Sequence, residues 1–167
     1  LQLAETVGLL VSQLAGGHVK EMELRLQGEF ASHPSQPLVI AALKGLLSAA
    51  LGDSINFVNA SLEAKARGIN VLEVKDETSR DFAGGSLQIT TRGDQGDRCV
   101  TGAVFADGEL RITSIDEFPV NVSPSRHMLF TRHRDMPGII GHLGSMMGEH
   151  NVNIASMQVG RKIVRGD

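Results

Sequence analysis

The stretch His133-Arg134-Asp135-Met136-Pro137-Gly138-Ile139-Ile140, followed by Asn151-Val152-Asn153-Ile154, decides how this chain is read. A β-prone run over residues 128–132 stops at a polar loop, and a Pro-Gly step then opens a helix. Ile139, Ile140, Leu143, Met146, Met147 and His150 fall on one face of that helix,. A polar turn leads into a second strand over residues 153–161, with Ala155, Met157 and Val159 on one face and Ile154 on the other,. A helix that begins at Pro-Gly leaves backbone N–H groups free at the positive end of its dipole, where a carboxylate binds. Asp135, just before the turn, is placed to hold an ammonium. Amides for an anion beside a lone carboxylate suit a small zwitterion such as a free amino acid. That chemistry is sensing rather than catalysis.

Two strands and one helix bury too little to stand alone, so this unit must lean on other residues, on upstream chain, or on a second copy. Upstream, Leu3, Val7, Leu10, Val11 and Leu14 recur at helical spacing, and Gly16-Gly17 supplies the stop,. Residues 21–30 alternate polar with apolar, as a strand does with one wet and one buried face,. Pro34 and Pro37 bracket a turn before a second helix through Leu38, Ala42, Leu43, Leu46, Leu47 and Ala50, ended by Gly52,. Ser61 is expected to cap a short third helix reaching Arg67 and Gly68. From Ile69 onward the pattern turns to β, with runs at 71–75, 86–91 and 99–105. Asp107-Gly108 signals a hairpin into residues 110–113, because glycine tolerates the positive φ of a tight turn,. A last strand at 117–122 leads to Ser123-Pro124-Ser125, the expected domain boundary.

The composition is that of an ordinary globular protein: 167 residues, 41% hydrophobic, 21% charged, net charge −3,. A mild acidic balance argues against nucleic-acid or anionic-membrane surfaces. Six Phe without Trp or Tyr leave few base-stacking platforms,. The single cysteine, Cys99, excludes an internal disulfide framework or a cysteine-held cluster, and fits a reducing cytoplasm,. No apolar run reaches the roughly 18 residues of a membrane span. The chain starts on Leu1 directly at a helical pattern and stops at Arg165-Gly166-Asp167 without a cap, as expected of a piece of something longer.

These residues also resemble a known family. The His133–Gly141 signature with residues 151–154 looks like the first half of an ACT domain, the βαββαβ amino-acid-sensing module. Leu43-Lys44-Gly45-Leu46-Leu47, Ile55-Asn56-Phe57-Val58-Asn59-Ala60 and Ala64-Lys65-Ala66-Arg67-Gly68-Ile69 resemble the intervening, or allosteric substrate-binding, domain of long-form bacterial D-3-phosphoglycerate dehydrogenases. Gly102-Ala103-Val104-Phe105 and the segment Met157-Gln158-Val159-Gly160-Arg161-Lys162 fit the same enzymes. The resemblance implies an α+β chain: a mixed α/β intervening domain at 1–123, then a βαβ half of a ferredoxin-like ACT domain at 125–167.

The same resemblance implies a parent oxidoreductase that uses NAD to oxidise 3-phosphoglycerate in L-serine biosynthesis. Its catalytic and NAD-binding domains would be partners lying N-terminal to these residues, and its subunits would form a homodimer or homotetramer. This piece would carry no catalytic residues and no cofactor of its own. L-serine would bind between ACT domains of neighbouring subunits, at His133, Asp135, Gly138 and Asn153, with Asn153 supplied by the neighbour. Met136 stands where many relatives carry Arg.

Other readings stay open at this point. Asp135-Met136-Pro137-Gly138 also reads as a plain strand-to-helix turn with Asp as the cap, and Asn151 as a turn former. Arg111 is the candidate phosphate contact of the first domain, ahead of Arg92 and Arg98, against the reading that all three are solvated strand charges. The segment at 56–60 reads as a buried connection, the Met146-Met147 pair as core packing, and Cys99 as an inert core thiol. Histidines 127 and 133 are too far apart on one strand to chelate together, so no metal is expected. Ser86 has no paired His and Asp, which argues against a hydrolase. Two functional rivals are the accessory region of an L-serine dehydratase and a stand-alone amino-acid-binding dimerisation module.

Overall fold

The apolar stripe near the start becomes α1, Gln2–Ala15, which ends where Gly16 takes a left-handed φ of 66°,. The structure is a computed structural model and describes residues 1–77, 82, 84–116, 118–134 and 136–160. The alternating run forms strand β1, Val19–Gln27, with Met22, Leu24 and Leu26 fully buried and their neighbours half-exposed. It stops three residues earlier than its pattern suggests, because residues 28–32 coil into a 3-10 turn that begins at Gly28, φ 61°. The second helix, α2, spans Gln36–Leu51 and takes Pro37 into its first turn, where a missing N–H costs nothing,.

The short helix α3, Ala60–Ala66, starts before Ser61, which is therefore not its cap. Asn59 occupies the cap position, but its side chain accepts from the Asn56 amide at 2.8 Å and donates to the Ser54 carbonyl at 2.9 Å. Asn56 in turn accepts from the amides of Val58 and Asn59. The connection at 56–60 is thus tied together by its own amides as expected. It is buried only at Ala60: Phe57 and Val58 face solvent, Val58 at 93% exposure.

Strands β2 (Asn70–Asp76), β3 (Ser86–Gly93), β4 (Arg98–Val104), β5 (Leu110–Ile115) and β6 (Phe118–Val122) complete one six-stranded sheet in the order β2-β1-β3-β4-β5-β6. The β1–β2 pair is parallel and closes a crossover through α2 and α3; every other neighbour is antiparallel. Asp107-Gly108 turns the β4–β5 hairpin with Gly108 at φ 81°. Register sorts the faces. Met22–Thr91, Leu24–Ile89 and Leu26–Leu87 pair beneath the helices, while Glu21–Arg92, Glu23–Thr90 and Arg25–Gln88 pair on the other face. Each fully buried aliphatic side chain on the helix face contributes on the order of 1.5–3 kcal/mol.

Helix α1 lies on β3 and β4, and α2 lies on α1. Gly102 of β4 makes room for α1: a Cβ there would sit 2.7 Å from Leu3 and 2.9 Å from Val7. The segment Gln36–Ser54 is long and apolar enough to cross a membrane by length and composition. Leu38, Ala41, Ala42, Leu43, Leu46 and Leu47 explain that hydropathy, since all are buried in the protein core.

The chain divides into two compact units, Leu1–Pro124 and Ser125–Val159, with Gly160 grouped with the first. In the second, the predicted helix is present as α4, Ile139–Glu149. The two flanking strands are not paired: residues 128–132 and 153–159 join no ladder. Leu129, Phe130, Ile154, Met157 and Val159 are accordingly exposed, and no residue of α4 is buried. Met146, at 41% exposure, is not core packing here. A strand needs a neighbour to satisfy its amides and cover its side chains, and this unit of 35 residues supplies none,.

Candidate functional site

The helix start of the second unit follows from its sequence. Pro137 restricts the residue before it and cannot continue a strand ladder. Gly138 then adopts φ 89°, ψ −16°, a left-handed conformation that a side chain would strain, and stands as the N-cap of α4,. Its carbonyl accepts the first helical bond from His142 at 2.9 Å. No side chain among the described residues caps this end, and the first-turn amides of Ile139, Ile140 and Gly141 have no intrahelical acceptor,. A Cβ built at Gly138 or Gly141 meets nothing within 4 Å. At the other end Asn151 takes φ 56°, and its amide bonds the Gly148 carbonyl at 3.0 Å. That is the geometry of a helix C-terminal turn and accounts for Asn151 structurally.

Of the effector residues implied by the sequence, His133 precedes this start and Gly138 caps it. His133 is exposed, with Nδ1 2.9 Å from the Arg134 carbonyl oxygen. Asn153 is exposed and lies beyond the C-terminal end of the helix. Asp135 lies outside the described residues. No hydrogen bond joins His133, Gly138 and Asn153 among the described residues. Within one chain His133 and Gly138 stand at the start of α4 and Asn153 follows its end.

In the first unit, the three arginines weighed as phosphate contacts are each engaged by acids. Arg111 holds Asp107 at 3.2 Å and Glu109 at 3.0 Å, and its guanidinium lies 4.7 Å from the centre of the Phe105 ring. Arg98 donates to the Leu14 carbonyl at 3.0 Å and stands 3.8 Å from Asp116. Arg92 pairs with Glu21, with Glu23 at 3.2 Å and with Asp97 at 3.7 Å. Hydrogen bonds from Asn70 and Arg92 hold the Glu21 carboxyl below the ordinary glutamate range. The same contacts raise Arg92, so both stay charged through the neutral range. Cross-strand register explains this network, since Glu21 and Arg92 are direct partners on β1 and β3. The sequence alone does not show it, because the partners are 71 positions apart.

Cys99 is half-buried rather than core, and its sulfur accepts from Gln88 Nε2 at 2.7 Å. No group of three or more His, Cys, Asp or Glu able to hold a metal occurs among the described residues. Gly16-Gly17 ends a helix instead of opening one after a strand, so this pair is not a dinucleotide phosphate cradle,.

A mixed sheet carrying helices, followed by a small separate unit built around one helix, makes this a two-part α+β chain. Residues 1–116 match the family model of the D-3-phosphoglycerate dehydrogenase intervening domain, and residues 127–166 match that of the ACT domain. The chain belongs to the D-3-phosphoglycerate dehydrogenase family, as its C-terminal regulatory part. It is 60% identical over 168 residues to the D-3-phosphoglycerate dehydrogenase of Synechocystis sp., covering 100% of this chain and 30% of that protein. The Methanocaldococcus jannaschii enzyme is 38% identical over 99% of the chain and 31% of its own length. The Bacillus subtilis enzyme is 32% identical over the same shares. The chain therefore spans about 30% of the length of the curated relatives it matches.

Proposed function

We propose that this chain is the regulatory and assembly region of an NAD-dependent D-3-phosphoglycerate dehydrogenase of L-serine biosynthesis, working in the cytoplasm and sensing L-serine through its ACT unit. The observation that carries this reading is the start of α4, whose first-turn amides no described side chain caps. Those amides and the helix dipole suit the carboxylate of an amino acid. Asp135 would hold the ammonium. Asn153 would be supplied by a neighbouring subunit, and His133 would line the same side. Two copies are needed on this account. The family match favours the dehydrogenase over the dehydratase reading. NAD supplies the hydride acceptor in the parent enzyme, and its site would lie in domains other than these.

Calorimetric titration of L-serine into the full-length protein tests the reading. Binding should weaken at least tenfold in Asp135→Ala and in Asn153→Ala, since each removes a charged or polar partner of the ligand. Absence of binding, or affinities untouched by both substitutions, would overturn it.

A further inference from the structure

The two edges of the six-stranded sheet are built differently. β6 carries Pro119, which has no N–H to offer, and its pairing with β5 is interrupted by a register shift between Ile112 and Ser114. Both features blunt an edge. β2 has neither. It runs from Asn70 to Asp76 in unbroken register with β1 and has a neighbour on one side only among the described residues. Leu72 is 39% exposed on it, Glu73 faces solvent, and exposed Lys75 donates to the His33 carbonyl at 3.0 Å. Charges on an edge usually repel a visiting strand. Here they have opposite sign two positions apart.

We propose that β2 is a self-association edge, on which a second copy of this chain adds its own β2 in antiparallel register centred on Val74. A two-fold axis normal to the sheet keeps both sets of helices on the same side, so only residues on the same face can oppose each other. Centring on Glu73 sets that carboxylate against its own copy, and centring on Lys75 does the same for two ammonium groups; like charges directly opposite are unfavourable. Centring on Leu72 leaves Glu73 against Val71 and pairs fewer residues. Centring on Val74 avoids both like-charge contacts. Glu73 of each copy then opposes Lys75 of the other, twice. On the polar face of the sheet Val74 opposes Val74, with Leu72 of each copy diagonal to it and directly opposite Asp76. Because the register is symmetric, the outward N–H and C=O groups of β2 are satisfied in pairs whichever alternate set points outward.

This deepens the assembly part of the proposed function and does not depend on serine binding. Sedimentation velocity on the full chain, from micromolar to submillimolar concentration, tests it. A concentration-dependent dimer is expected. Glu73→Lys or Lys75→Glu alone should weaken that dimer roughly tenfold, because two attractive pairs become two repulsive ones. The double swap should restore it to within about threefold. Thermal melts by circular dichroism should show all three variants folded, since both side chains are exposed. A chain that stays monomeric, a dimer indifferent to the single swaps, or a double swap that fails to restore would overturn the proposal. A dimer indifferent to the swaps that still binds serine would remove this edge and leave the effector reading standing.

Discussion

Alanine at position 45 would place a methyl carbon 2.0 Å from the Glu5 carbonyl oxygen and 2.9 Å from the Leu9 nitrogen, all backbone atoms of α1. Neither can rotate away, so α1 and α2 must separate by about 1 Å or more to restore ordinary contact. Two terms favour the substitution: about 1 kcal/mol of helix propensity over glycine and about 0.8 kcal/mol for a buried methyl group. Against them stands the packing of α1. Leu3, Val7, Leu10 and Val11 are each at most 8% exposed. A radial gap of roughly 0.5–1 Å forfeits a quarter to a half of a dispersion contact, and these side chains contribute about 1.5–3 kcal/mol each. The loss is therefore on the order of 1.5–6 kcal/mol, and the net destabilisation of Gly45→Ala, taken at the middle of that range, about 2 kcal/mol.

Gly8 provides the internal check. A Cβ there would lie 2.2 Å from the Ala42 carbonyl oxygen, across the same crossing. One separation of the helices relieves both overlaps, so the double variant Gly8→Ala, Gly45→Ala should cost at least about 1 kcal/mol less than the sum of the singles. Urea unfolding followed by circular dichroism measures all four proteins at once. A neutral or stabilising Gly45→Ala, or strictly additive singles, would refute the reasoning.

Two further outcomes follow from buried and charged groups. Thr91 is 1% exposed and its hydroxyl has no partner among the described residues, so the isosteric Thr91→Val should raise stability by about 1–2 kcal/mol in the same urea assay; a loss of stability would show that the hydroxyl is satisfied in solution,. Glu21 and Asp94 both titrate below their ordinary values, the first through Asn70 and Arg92 and the second through Lys20. Their contribution is present above the unfolded carboxylate range and is lost as pH falls through the folded values. Tm should thus be flat from neutrality to about pH 5 and decline below about pH 4, with a shallower decline in Glu21→Gln. An unchanged acid limb in that variant would assign the decline to other carboxylates.

What could be read from the sequence divides along physical lines. The long stripes of α1 and α2, the alternation of β1 and the Asp107-Gly108 hairpin are local signals, and local signals were enough to place all six strands of the first unit within a few residues. The cap of α3 was misplaced by two positions because Asn59, the side chain at the cap position, is spent on the loop before it. The exposure of Phe57 and Val58 was equally invisible, since apolar character gives no sign of which side of a chain is covered. Register is the larger gap. Nothing local announces that Glu21 meets Arg92, or that Arg111 would be taken up by the acids of its own hairpin. The helix start at Pro137-Gly138 was legible to the residue, because φ restriction and glycine freedom act on the backbone itself.

The second unit shows where such reading must stop. Its strand-forming character is written in residues 128–132 and 153–159, and the apolar side chains that this pattern would bury are present. A pattern of alternation states which face a strand would bury, and burial needs a second surface. Here Leu129, Phe130, Ile154 and Met157 meet none. On the proposed reading, whatever supplies those neighbours also brings Asn153 toward the start of α4, so ordering of the strands and completion of the ligand site are one event. A ligand that binds only the completed site must then stabilise the assembled state by RT ln(1 + [L]/Kd), and assembly must tighten the ligand by the same coupling. Serine affinity should therefore rise with protein concentration through the range in which the chain associates, whereas a site complete within one chain would give an affinity independent of it.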